Sequence, residues 1–371
     1  MVKICHITSA HSVEDVRIFQ KECCSLVSAG YDTYLVQQGE SYDKNGVHIV
    51  GFGSVASNRL KRMLCTSKAA YKAALEVHAD VYHLHDPELL PFALKLKKKG
   101  KKVVFDSHEK YTEQISAKHY LPGWTRHFVS KLYSFFEDYV LKRIDAVIFP
   151  CTMGGKNPFE GKCKRAAIIS NSAILGEFYD FFDVNTEKKK NTVTYVGGLT
   201  EARGITIDML AADRAGAKLV LAGPFSSEEY HRQLKAMPEY ACVDYRGILN
   251  REEVRKLLAS SQIGLCTLLD RGQYLKIDTF GIKVYEYMSM GLPVILSKST
   301  YNQKMVDAYK FGICVDPENP DELAAAIRYL LDNPEEARQM GENGRRAVKE
   351  EFNWGVEEKK LLALYGDIIK N

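Results

Sequence analysis

Short apolar runs alternate with longer amphipathic stretches along almost the whole chain. The opening run VKICHIT reads as a buried strand, and a polar loop follows over 9–14. Apolar positions at helical spacing then predict a helix over 16–27, stopped at Ala29-Gly30, with YDTYLVQQ as the next strand. The same alternation predicts a helix over 60–77, a strand over 81–84, a helix over 88–99 and a strand over 102–106. A long helix over 125–142 and a strand over 146–149 complete this half.

A second series starts after the polar, basic run 185–191, which reads as a linker. TVTYVGG, AKLVLAG, CVDYRG and IGLCTL are strand-like, separated by helical patterns over 205–215, 227–237 and 250–260. A helix over 282–290, the strand LPVILS and a helix opened by Pro320 follow. Strand–helix–strand repetition is the unit of a parallel α/β sheet. The expected architecture is two Rossmann-like domains, 1–170 and 190–350, facing each other across a cleft at the carboxyl ends of their strands. The segment 351–371 is expected to be a helix free to pack on either domain, the first included.

Composition sharpens this picture in a few places. With 371 residues, 46% hydrophobic and 26% charged, the chain is an ordinary globular one. The net charge is only +4, but basic residues cluster in the first half, notably over 95–102 and 59–62. That asymmetry allows an anionic partner, or a solvated helix end. The nine cysteines include no CxxC pair, and several sit in apolar strands, which suits a reducing cytoplasm better than a disulfide framework. No run approaches the roughly 20 apolar residues of a membrane-spanning helix, and the amino end lacks a signal-peptide pattern.

The richest chemistry lies over 278–293, DTFGIKVYEYMSMGLP. Gly281 opens the helix and leaves its backbone amides accessible, and a helix amino terminus with free amides is a seat for phosphate. Asp278 precedes the helix and Glu286 lies about one turn in, so the two carboxylates can address different parts of one polyhydroxyl ligand. Lys283 in the first helical turn is unfavourable by roughly 0.3–1 kcal/mol unless an anion is near; the alternative is a snorkelling surface lysine. A second glycine turn, Gly197-Gly198-Leu199-Thr200-Glu201-Ala202-Arg203-Gly204, ends a strand and carries Arg203, whose planar fork suits a diphosphate.

These pieces in this order resemble the retaining glycosyltransferases of family 4 (group 1), which have the GT-B fold. The likeness rests on the glycine turn with its basic residue, on Asp278 and Glu286 at the spacing of a Glu–x7–Glu motif, on Gly291-Leu292-Pro293-Val294-Ile295, and on DVRIFQKE, HLHDPELLP and FDSHE. The resemblance implies transfer of a sugar from a nucleoside-diphosphate sugar to an acceptor hydroxyl with retention, in polysaccharide or glycolipid synthesis, by a leaving-group-assisted front-face route. Glu286 would hold the ribose and Asp278 the transferred sugar. Arg203, with Lys283 and Lys276, would meet the diphosphate, and Gly197, Gly198, Gly281 and Ile282 would bring backbone close to it. His108 would stand beside the donor sugar. Two positions depart from the family pattern: Gly198 replaces the usual arginine, and Asp278 is one methylene shorter than glutamate.

Asp15, Arg17 and Glu109 fall on the expected acceptor side, with an inter-element salt bridge as the alternative for Asp15 and Arg17. His83 alternates within a strand and reads as structural; Asp86 and Glu88 suit helix capping. No His/Asp/Glu spacing resembles a metal site, so no metal and no further cofactor is expected. The acceptor would be a saccharide or lipid-linked saccharide, nucleic acid is not expected, and basic–aromatic stretches over 59–72 and 121–136 allow peripheral contact with an anionic membrane. A nucleotide-sugar epimerase and a non-catalytic nucleotide-sugar-binding protein are the rival readings.

Overall fold

The computed structural model describes residues 1–53, 65–108, 123–271 and 275–370. They form two compact units, Met1–Asn171 with Gly355–Asn371, and Ser172–Trp354. The division falls ahead of the 185–191 run because Ala173 and Phe178 are already buried in the second unit's core.

The first unit is built on an eight-stranded sheet in the order β3-β4-β2-β1-β5-β6-β7-β8. Its strands are β1 (Lys3–Ile7), β2 (Asp32–Gln38), β3 (Tyr42–Lys44), β4 (Val47–Phe52), β5 (Val81–Leu84), β6 (Lys102–Asp106), β7 (Ala146–Phe149) and β8 (Ala166–Ile168). All pairings are parallel except β3 with β4. The short strands β3, β4 and β8 were not legible from periodicity. They run only three to six residues and carry mixed burial.

The expected helix over 16–27 divides in two. Val16–Cys23 is π-helical, and α1 (Cys24–Ser28) continues it. Hydrogen bonding to the fifth residue brings positions five apart onto one face, here Arg17 and Glu22. Further helices are α2 (Ser67–Glu76), α3 (Leu90–Lys98) and α4 (Gly123–Leu141), and the last helix, Trp354–Lys370, belongs to this unit from Gly355.

The second unit has a six-stranded, wholly parallel sheet in the order β11-β10-β9-β12-β13-β14. Its strands are β9 (Thr192–Val196), β10 (Lys218–Ala222), β11 (Val243–Tyr245), β12 (Ile263–Cys266), β13 (Val294–Ser297) and β14 (Gly312–Val315). Helices α5 (Leu175–Phe178), α6 (Ile205–Arg214), α7 (Glu228–Lys235), α8 (Arg251–Ser260), α9 (Ile282–Ser289), α10 (Thr300–Tyr309), α11 (Pro320–Asp332) and α12 (Pro334–Glu350) accompany it. A parallel sheet is covered on both faces, so its strands read as unbroken apolar runs. Val193, Leu219, Leu265 and Ile295 pack with α6 and α11; Cys266, Val294 and Leu296 pack with α9.

Among the parallel strands of each sheet the order reverses direction once, between β1 and β5 and between β9 and β12. Open α/β sheets bind ligands at that reversal, beyond the strands' carboxyl ends. The polar residues of interest gather at these two places.

Candidate active site

In the second unit, β9 ends at Val196 and the chain turns through Gly197 at φ +134°. A methyl group on Gly197 would come within 3.1 Å of Lys283 Nζ and 3.5 Å of Arg203 Nη1. Both cations therefore crowd the glycine turn, from α9 and from the short turn Glu201–Arg203. Thr200 starts that turn, its hydroxyl accepting from the Arg203 amide at 3.1 Å. Gly198 has room for a side chain, with Arg203 Nη1 at 3.6 Å from where its Cβ would be.

Gly281 is the amino cap of α9, with no side chain bonded to the free amides. The helix stops at Gly291, which takes φ +65°, and the Leu292 amide donates back to Tyr287 at 3.0 Å. Tyr287 also ties α9 to the sheet, since its hydroxyl accepts from the Val196 amide at 2.9 Å. Its ring lies where a Gly264 side chain would be, 2.4 Å from that position. Helix and glycine turn are thus held together by packing that only glycine at 264 permits.

Lys283 is not a surface lysine. It is 8% exposed, its Nζ stands 3.4 Å from the centre of the Tyr195 ring, and it has no hydrogen-bond partner among the described residues. Burial lowers its pKa to about 8. Asp208 is buried nearby in charge terms, with burial raising its pKa to about 7; Thr267 donates to Oδ1, while Oδ2 has no partner. Arg203, Cys266, Thr279, Gly281, Ile282 and Lys283 line a pocket of about 240 Å³. A larger pocket of about 570 Å³, among Tyr179, Phe182, Arg338 and Arg345, holds none of the expected site residues.

Glu286 is buried in α9 and already paired. Arg251 Nη1 donates to its Oε1 at 2.8 Å, and Arg251 Nη2 donates to Glu177 at 2.5 Å. Arg251 was not anticipated, because its motif (Asn250 to Glu253) is an ordinary helix capping box. Asp278 is half-buried in the loop before α9, and Lys276 is exposed.

In the first unit, His6 and His83 are register partners on β1 and β5, and His85 lies two residues beyond His83. In a strand, residues two apart share a face, so all three imidazoles gather on one side. Glu22 and Arg17 from the π-helical segment cover them. Arg17 is 4% exposed, donates from Nε and Nη2 to Asp106 at 2.8 and 3.1 Å, and lies 3.1 Å from Glu22 Oε1. Burial opposes its charge, but Asp106 and Glu22 hold its pKa up. The structure thus places Arg17 in the inter-element ion pair and not at an acceptor-facing surface. Asp15 caps the helix, accepting from the amides of Arg17 and Ile18 at 2.9 and 3.2 Å, and lies 3.7 Å from His11.

Asp86 caps no helix through its side chain. Its Oδ2 accepts instead from Thr8 Oγ1 at 2.9 Å and the Ser9 amide at 2.6 Å, fixing the loop after β1. His108 is 3.5 Å from Asp106, and burial drives its pKa down to about 3, so the imidazole is neutral at ordinary pH. Its ring lies 4.4 Å from that of His11. Glu109, the basic residues of 59–64 and the side chains of 121–126 lie outside the described residues. Sequence spacing had offered no ligating cluster, yet the fold brings His6, Glu22, His83 and His85 within reach of one another.

Comparison with known proteins agrees with this architecture. The family model for glycosyl transferases group 1 matches residues 178–347, and that for Glycosyltransferase Family 4 matches 22–155. An MMP alpha-(1->4)-mannosyltransferase of Mycolicibacterium hassiacum is 33% identical over 120 residues, covering 32% of this chain and 27% of that protein. The curated relatives it matches are spanned over about half their length or less. A sucrose-phosphate synthase from Thermosynechococcus elongatus superposes with a TM-score of 0.77 at 18% identity, over 100% of both chains. Anabaena HepE, solved with UDP and glucose, gives 0.71 at 14% identity over 99% of this chain and 100% of that one. With two family models spanning most of its length and the GT-B fold shared end to end, the chain belongs to the group 1, family 4 glycosyltransferases.

Proposed function

We propose that the protein transfers a sugar from a nucleoside-diphosphate sugar to an acceptor hydroxyl with retention of configuration, in glycan or glycolipid synthesis. The observation that carries this reading is Lys283: a buried ammonium without a hydrogen-bond partner among the described residues, beside Arg203, at the amino end of α9. A buried cation is costly unless an anion meets it, and a diphosphate is the anion such a helix end accommodates. Gly198 leaves space in the glycine turn, and Lys283 and Arg203 both bring positive charge to it.

In the reaction, negative charge grows on the leaving diphosphate as the bond to the sugar lengthens. Preorganised cations and amides aimed at that charge are where electrostatic stabilisation is largest. Lys283, Arg203 and the α9 amides would do this. Glu286 would take the ribose, Asp278 the hydroxyls of the transferred sugar, and the neutral His108 would act as a hydrogen-bond partner to the donor sugar. Because two cations balance the diphosphate, transfer is expected to survive a chelator in the assay. HepE was solved with UDP and a Corynebacterium glutamicum relative is named a GDP-mannose-dependent mannosyltransferase; both support a nucleotide-sugar donor without choosing its base.

No described helix is long and apolar enough to cross a membrane. Helix α4 nonetheless exposes Phe128, Leu132, Phe135 and Tyr139, by 65, 58, 73 and 44%. Their spacing puts them on one face, and Lys131, Lys142 and Arg143 lie on the same helix or its end. This face would hold the protein at the cytoplasmic surface of an anionic membrane, near a lipid-linked saccharide acceptor.

Mass-spectrometric screening of nucleotide sugars against the purified chain tests the donor reading, followed by NMR of the product's anomeric proton. A donor that binds tightly to the wild type, weakly to Lys283→Met and better again to Gly198→Arg/Lys283→Met supports it. Conversion of a donor to its epimer without acceptor, or no nucleotide sugar bound at all, would overturn it.

A further inference from the structure

The buried cluster in the first unit lies outside the proposed transfer chemistry. His6, Glu22, His83 and His85 are all completely buried, and one potential ligand atom from each lies within 4.8 Å of the others. Three imidazole nitrogens surround a single carboxylate oxygen: His6 Nδ1, His83 Nδ1 and His85 Nε2 are 3.8, 3.9 and 3.9 Å from Glu22 Oε2. His6 Nδ1 and His85 Nε2 are 2.9 Å apart. With metal–ligand bonds of about 2.0–2.1 Å, four tetrahedral ligand atoms sit about 3.4 Å from one another, so the observed separations bracket that value.

Two further observations point to a missing occupant. Neither oxygen of Glu22 has a hydrogen-bond partner among the described residues. Arg17 lies against Oε1 at 3.1 Å and leaves Oε2 to the imidazoles. Charge counting agrees: Arg17 is one cation facing two buried carboxylates, Glu22 and Asp106. A fully buried charge left uncompensated is strongly destabilising.

The outer atoms of the cluster are arranged as a metal's supporting shell is. Ligating histidines commonly hold their second ring nitrogen to a carboxylate or another polar group, which fixes the ring. His6 Nε2, its second ring nitrogen, lies 3.3 Å from the Tyr365 hydroxyl; the same hydroxyl is 2.8 Å from His83 Nδ1, a contact that the ion would replace. His85 Nδ1 is 3.7 Å from Asp106 Oδ2 and 3.3 Å from His108 Nε2. We infer that His6, Glu22, His83 and His85 form a buried structural site for a zinc-class divalent ion, joining β1, β5 and the π-helical segment, with Tyr365 of the last helix in its supporting shell. Three imidazoles and one carboxylate form a donor set suited to zinc and its neighbours, and complete burial marks a closed site. None of the four ligands is a residue assigned to the donor and all are completely buried, so the site and the transfer reading are tested separately.

The test is metal analysis of the untagged full-length chain, purified from zinc-supplemented culture. About one tightly held ion per chain is expected, surviving dialysis against a weak chelator. After removal of the ion in mild denaturant with a strong chelator, refolding with cobalt(II) should give the visible absorption of a low-symmetry cobalt–histidine site. Glu22→Gln and His83→Gln should each lower the metal content at least about tenfold, and the wild type should melt at a higher temperature with metal than without. A natively folded wild-type chain carrying almost no metal, with no cobalt spectrum, would overturn the site and leave a hydrogen-bonded network with a proton on Glu22. Retention of the ion in both folded variants would overturn it equally.

Discussion

The ammonium of Lys283 stands 3.4 Å from the centre of the Tyr195 ring, joining the first turn of α9 to the last strand residues before the glycine turn. The ring face offers a partial negative charge, but an aromatic face is a weak substitute for water or an anion. Under the proposed function, Lys283 is a cation held for the donor diphosphate, at a cost to the unliganded fold.

That cost is measurable. Lowering a lysine pKa from 10.5 to about 8 corresponds to roughly 3 kcal/mol against the charged form. Lys283→Met should raise the unfolding free energy of the ligand-free protein by up to that amount, read from urea titrations. The same substitution should weaken nucleotide-sugar binding about 10- to 100-fold, the worth of a charge-assisted hydrogen bond. A variant both less stable and unaltered in donor affinity would contradict the role given to Lys283.

The pH dependence has a definite sign. The folded-state pKa of Lys283 lies below its unfolded value, so the charged side chain burdens the fold below about pH 8. Stability from this group rises as pH climbs from there toward the unfolded value, because the unfolded state binds more protons. Donor affinity runs the other way and should fall as pH rises through about 8. Calorimetric titrations across that range should show the fall in wild type and not in Lys283→Arg, whose charge does not titrate.

Glu286 and Arg251 act as one unit, since Arg251 bridges Glu286 and Glu177. Glu286→Gln and Arg251→Gln should each weaken nucleoside diphosphate binding several-fold, and the double variant by less than their product. Asp278→Asn should leave the affinity for nucleoside diphosphate nearly unchanged and lower turnover or sugar selectivity. Fluorescence or calorimetric binding, beside steady-state rates, separates these outcomes.

Arg17→Met should destabilise the protein by about 3–5 kcal/mol, because it leaves two buried carboxylates without their cation. Adding Asp106→Asn should recover part of that loss in denaturant titrations. In folded Arg17→Met protein the acceptor KM should be unchanged; a large rise in KM would restore an acceptor-binding role to Arg17.

The stripe on α4 makes a separate prediction. Phe128→Ser with Phe135→Ser should reduce sedimentation with anionic vesicles at low salt several-fold and leave the melting temperature within a degree or so, because both rings are already exposed. Wild-type protein that ignores such vesicles would remove the membrane proposal.

How much of this was legible in the sequence follows from what each feature depends on. Apolar runs of period two and 3.6 record which face of a segment is buried. They therefore announced most of the strands and helices, the parallel α/β class and the helix start at Gly281, but not α10 or α12. Short edge strands such as β3 and β8 escaped, since three residues hold too little periodicity, and the 172–184 stretch gave no sign that it joins the second core. The glycine turn, Asp278 and Glu286 were readable because their chemistry is local. The surroundings of those residues were not. Only tertiary structure buries Lys283 over Tyr195, gives Glu286 to Arg251, places Arg17 between two carboxylates and assembles His6, Glu22, His83 and His85. Those contacts join residues tens to hundreds of positions apart, through strand register and helix packing, and no spacing along the chain encodes them.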